Sequence, residues 1–181
     1  VLELASAKDY RLENLAGRSL YFPPLGATAT RDMRDTFTRL TGVKSGQPMT
    51  LDVKGRPVVV PEAAHGVARF TFEDLCMRPL GAVDYLYIAH AFHTVLVDDI
   101  PILAREQRNE ARRFIALIDT LYDSRVCLIA SAAGEPDELY TSGDAAELFE
   151  RTVSRLIEMR SEAYLTARRT RAEVPFTPVE T

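Results

Sequence analysis

His93–Pro101 reads HTVLVDDIP. Three apolar residues, Val95, Leu96 and Val97, run straight into Asp98 and Asp99, and Pro101 closes the segment. An apolar run of this length is a strand covered on both faces, and here it delivers two carboxylates to the end of a sheet. The Mg²⁺-holding strand of a phosphate-loop ATPase reads the same way, and it works with a cradle of pattern G-x-x-x-x-G-K-[ST]. The chain has three lysines, Lys8, Lys44 and Lys54, and only Lys44 is followed by a hydroxyl residue, Ser45. Val43 precedes it, and Thr38 stands where the cradle's first glycine belongs. The residues leading in, Ala29, Met33, Phe37 and Leu40, have helical spacing, whereas a phosphate loop is fed by a strand. These 181 residues contain no cradle.

Downstream of that strand the rhythm is helical and then extended. Ala111, Phe114, Ile115, Ile118, Leu121 and Tyr122 share one stripe of a helix predicted over 107–123. RVCLIASA follows as a second buried strand, and a long helix is predicted from Asp144 to about Leu165. Ala145, Leu148, Phe149, Thr152, Leu156, Met159 and Ala163 form its apolar face, and Glu147 and Arg151 stand in the favourable i,i+4 order. Upstream, VDYLYIAHAF reads as a helix. RSLYF reads as a strand stopped by Pro23-Pro24, and a helix capped by Thr28 ends at Gly42. MTLDVKGRPVVVP is a hairpin turning at Lys54-Gly55-Arg56, and VARFTF adds a third strand. Strands alternating with helices predict an α/β fold built from βαβ units. Three parts result: a strand, helix and hairpin segment over 1–72, a helix-strand-helix-strand-helix module over 73–165, and a flexible tail over 166–181.

Apolar content of 46% and charged content of 27% describe an ordinary globular chain. A net charge of −4 gives no general attraction to nucleic acid, and peripheral membrane association is not indicated. No apolar run approaches a membrane span, and no signal peptide opens the chain. Cys76 and Cys127 lie far apart, Cys127 inside the apolar run VCLIA, so the chemistry expected is that of buried thiols in a reducing cytoplasm. The opening VLELASAKDY, without an initiator methionine, reads as cut from something longer.

FEDLCMRPLGAVDYL, FHTVLVDDIP, NEARRFIALIDTLYDSRV, ASAAGEPDELY and FERTVSRLIEMRSEAYL, in that order, resemble the C-terminal half of the AFG-one-like ATPases. DYRLENL and YFPPLG extend the likeness over most of Tyr10–Leu165. Met77 stands where that family usually has glycine, and Cys127 replaces a basic residue. The resemblance implies a P-loop, AAA-like half-sheet, with ATP and Mg²⁺ held by an N-terminal half that would be this chain's first partner. It also implies assembly into homo-oligomers and a protein substrate or division-ring partner. The setting it implies is bacterial cytoplasm, or the mitochondrion for a eukaryotic relative. The fragment alone is expected to bind no cofactor.

Within that frame the catalytic candidates are Arg155, Arg113 and Asp99. Arginine can stabilise charge on a transferring phosphate from its own chain or a neighbour's, and acids at a strand's C-terminal end stand where α/β folds place ligands. Arg155 precedes the buried Leu156, so packing of its stem would aim the guanidinium outward to sense nucleotide. Arg155→Lys would then lower turnover at least about tenfold. Ser131, Arg151 and Arg112 are the nucleotide-binding candidates. Against each stands the plainer reading of a solvated helix face or a capped strand end. His90 and His93 lie three apart beside the aspartates, but a metal needs three or four ligands on rigid elements, so no metal site is assigned. Three functions stay open: the oligomer-forming half of an ATPase, an interaction module with a vestigial nucleotide fold, and a phosphoacceptor receiver. The last lacks the lysine it needs at a later strand end, since none follows Lys54.

Overall fold

The structure is a computed structural model that describes residues 18–171. The strand-like Val1–Leu4, DYRLENL and most of the predicted tail lie outside the described residues. Six strands form one sheet in the order β1-β6-β5-β4-β3-β2: β1 (Tyr21–Phe22), β2 (Gln47–Val53), β3 (Arg56–Ala64), β4 (Val67–Thr71), β5 (Thr94–Ile100) and β6 (Cys127–Ala132). β1, β6, β5 and β4 pair in parallel, and the β2–β3 hairpin continues the sheet antiparallel from β4. Lys54 and Gly55 both take left-handed φ (52° and 84°), the backbone of a two-residue turn whose twist matches the strands it joins. The Gly55 N–H donates to Asp52 Oδ1 at 2.7 Å, which secures the bend where the KG signal predicts it.

The apolar run of β5 is buried because helices cover both faces. Leu96, with Val67, Cys127 and Ile129, packs under Met33, Phe37 and Leu40 of α1 (Ala27–Thr41). Val95 and Val97 face the larger core with α2 (Phe72–Cys76), α3 (Ala82–Ala91), α4 (Arg108–Asp123) and α5 (Ala146–Glu158). At Gly46 the chain runs so close to β3 that an added Cβ would lie 2.6 Å from the Ala63 carbonyl oxygen. Gly46→Ala is expected to lower stability by about 1–2 kcal/mol, read as a shift in the urea midpoint, because backbone cannot yield as a side chain does.

Two local expectations are corrected. α1 begins a residue before Thr28: Gly26 is its N-cap, with no side-chain cap, while Gly42 (φ 76°) closes it as expected. The long C-terminal helix is two helices, α5 and α6 (Glu162–Arg171), separated at Met159–Ser161. Ser161 Oγ accepts the Tyr164 N–H at 3.2 Å and starts a new helix, the capping role serine plays well. The break redistributes the stripe: Phe149, Thr152, Leu156 and Met159 are buried, Leu148 is 49% exposed and Ala163 is exposed. Glu147 does not hold Arg151, which reaches Asp119 on α4 instead.

Candidate functional site

β5 and β6 keep register to Val97↔Ala130 and resume it at Ile100↔Ala132, so Asp98 and Asp99 together oppose the single residue Ser131. This is a β-bulge, and a bulge re-aims side chains at a strand end. Asp99 takes a left-handed φ of 62°, its N–H donates to Ser131 Oγ at 2.9 Å, and its side chain is exposed. Ser131 and Asp99, both singled out from sequence, are therefore brought together. Asp98 continues the alternation from Leu96 onto the α1 face. There it is buried and grips Arg69 of β4 with both oxygens, at 2.7 Å from Nε and 2.9 Å from Nη2.

Arg69 in turn stands opposite Glu62 of β3, whose carboxylate meets Arg34 Nη1 of α1 and the Gly46 N–H, each at 2.7 Å. Burial, the largest influence on Arg69, disfavours its charge, but the bonds to Asp98 and the fields of Asp98, Glu62 and Asp99 outweigh it and raise its pKa. Burial likewise favours a neutral Glu62, and Arg34 and the Gly46 N–H overcome it to hold that carboxyl below its ordinary range. A cleft of about 260 Å³ opens above this row, bounded by Thr30, Pro61, Thr71 and Asp99. It lies at the C-terminal end of parallel strands, the usual ligand position in α/β sheets. Arg69 and Glu62 were missed from sequence. In the alternating VARFTF, Arg69 shares the polar side with Thr71, and only the packing of α1 over Val67 and Leu96 shows that side to be covered.

The arginines gather elsewhere. Arg151 and Arg155, one turn apart on α5, share the Asp119 carboxylate, Arg151 at 3.0 Å. The Arg155 guanidinium also lies 4.8 Å from the centre of the Tyr122 ring, and the Tyr122 hydroxyl donates to Glu158 at 2.8 Å. Arg155 thus turns onto α4, where an outward aim was expected. Arg113 donates to the Cys76 carbonyl at 3.2 Å, and Arg112 is exposed on α4. His93 contacts Thr94 Oγ1 and the His65 carbonyl. Among the described residues, no three His, Cys, Asp or Glu side chains are grouped to hold a metal ion, and no helix is long and apolar enough to cross a membrane.

A six-stranded sheet whose β1, β6, β5 and β4 run parallel, with helices on both faces, is an α/β module, and the family it matches is P-loop NTPase-like. The chain belongs to the AFG1-like ATPase family, which it matches over residues 1–168. It is 34% identical over 165 residues to the cell division protein ZapE of Escherichia coli K12, covering 91% of this chain and 44% of that protein. It is 32% identical over 200 residues to lactation elevated protein 1 homolog B of Danio rerio, covering 91% of this chain and 40% of that one. The chain thus spans less than half the length of these curated relatives. No solved structure matches it.

Proposed function

We propose that this chain is one part of a longer ATP-hydrolysing, AAA-like protein, serving its oligomerisation, nucleotide sensing and substrate contact. ATP and Mg²⁺ would be held by residues outside these 181. One observation carries this reading: nearly the whole chain aligns with ATPase-family members more than twice its length, yet it has no phosphate cradle. The residues present do not fit Mg-ATP. Both oxygens of Asp98 are committed to Arg69, and no lysine stands at the end of β4, β5 or β6. A division-ring protein is the substrate or partner this reading favours, because the bacterial relative is a cell division protein, with the bacterial cytoplasm as the setting.

The second reading is an interaction module with a vestigial nucleotide fold. It is favoured by Arg151 and Arg155 both being engaged with Asp119. Calorimetric titration of Mg-ATP into this chain tests the first. No saturable heat is expected up to millimolar ATP, since backbone N–H groups and a lysine supply most phosphate contacts. A micromolar dissociation constant would overturn it. Sedimentation of a full-length homologue that hydrolyses ATP, with and without this region, separates the two: only the first expects the oligomer to be lost with it.

A further inference from the structure

We infer that Asp98, the first of the two acids ending β5, fastens the sheet, and that the pair does not hold a metal ion. Arg34, Glu62, Arg69 and Asp98 alternate in sign from α1 across β3, β4 and β5, tying the antiparallel hairpin and the covering helix to the parallel half of the sheet. Mg²⁺ needs carboxylate oxygens free at about 2.0–2.1 Å in near-octahedral geometry. Asp98 offers neither oxygen, because each already accepts from the Arg69 guanidinium. A cation displacing that guanidinium would strand a charge only 11% exposed, whose Nη1 is already buried without an acceptor. The bulge completes the separation. It sends Asp99 to the surface while Asp98 stays buried on Arg69, and although both acids line the same cleft, no three His, Cys, Asp or Glu side chains among the described residues are grouped there to hold an ion.

The inference does not depend on whether a longer protein hydrolyses ATP, and its tests need no nucleotide. Manganese titration of this chain, followed by electron paramagnetic resonance, should show no saturable site below millimolar Mn²⁺. A tight site abolished by Asp98→Asn would overturn the assignment. In urea denaturation, Asp98→Asn should raise the unfolding equilibrium constant at least about 100-fold, as breaking a buried pair does. Asp99→Asn should change it less than about fivefold. The reverse order would also overturn the inference. Should Asp98→Asn fail to fold, Arg69→Met/Asp98→Leu removes both charges and should recover most of the loss. A double variant no more stable than Asp98→Asn would refute the fastening role.

Discussion

Phe114→Ala is expected to lose about 3–5 kcal/mol, the range for deleting a large aromatic from a core that cannot collapse. Phe114 is fully buried on α4, and its ring centre lies 5.9 Å from that of Phe72 and 5.9 Å from that of Phe149. Tyr140 then meets Phe149 edge-on at 5.6 Å. The column crosses from the helix after β4, through α4 and α5, to the segment after β6, so its central ring is held by elements that cannot close on a void together. Aromatic pairs of this spacing add about 0.5–1.5 kcal/mol beyond area. Urea denaturation of the variant beside Leu148→Ala tests it. Leu148 is half exposed and should cost under about 0.5 kcal/mol. Equal losses at the two positions would refute the column as the centre of the core.

Arg155→Ala is expected to cost about 2 kcal/mol of stability. Its side chain is 20% exposed, Asp119 is 25% exposed, and the guanidinium lies over the Tyr122 ring as well. A charge-assisted bond in such a site contributes about 1.5–3 kcal/mol, and a cation over a ring about 0.5–1. These terms overlap, so their sum is not expected. Asp119→Ala, which also frees Arg151, should cost at least as much, and the double variant less than the sum of the two, since both single variants lose the Arg155–Asp119 contact. Arg155→Lys keeps the charge but not the fork, so most of the loss should persist. The competing role in nucleotide sensing predicts another pattern. Stability would hold while ATP turnover of a full-length homologue fell about tenfold in the equivalent arginine-to-lysine variant. Unfolding midpoints and turnover measured well below the midpoint separate the two roles.

The placement of strands and helices was legible because each element records its own burial in its own period. The run VLV in β5 is buried on both faces as its composition demands, and the alternation around KG closes the hairpin where it should. Of the predicted stripe, Ala111, Phe114, Ile115, Ile118 and Leu121 are buried and Tyr122 is half-buried. An element's exposure pattern depends on neighbours a few residues away, so a single sequence carries it.

Partner choice was not legible, because it depends on register between segments far apart in the chain. Asp98 reads as a free acid until β4 is laid beside β5 and sets Arg69, 29 residues earlier, against it. Arg155 reads as outward-facing until α4 brings Asp119 and Tyr122 beneath it, from 36 and 33 residues earlier. The break at Ser161 stands between these cases. Apolar residues at helical spacing through Met159 to Ala163 predict one helix, and the serine cap becomes evident only where Ser161 Oγ accepts the Tyr164 N–H. Sequence alone determined an α/β sheet, its hairpin and an acid-bearing strand end without a phosphate cradle. Only the tertiary structure decided that one of those acids is bound to arginine and the other turned to solvent. An ion pair needs charges within a few ångströms in space, and distance along the chain does not set that separation.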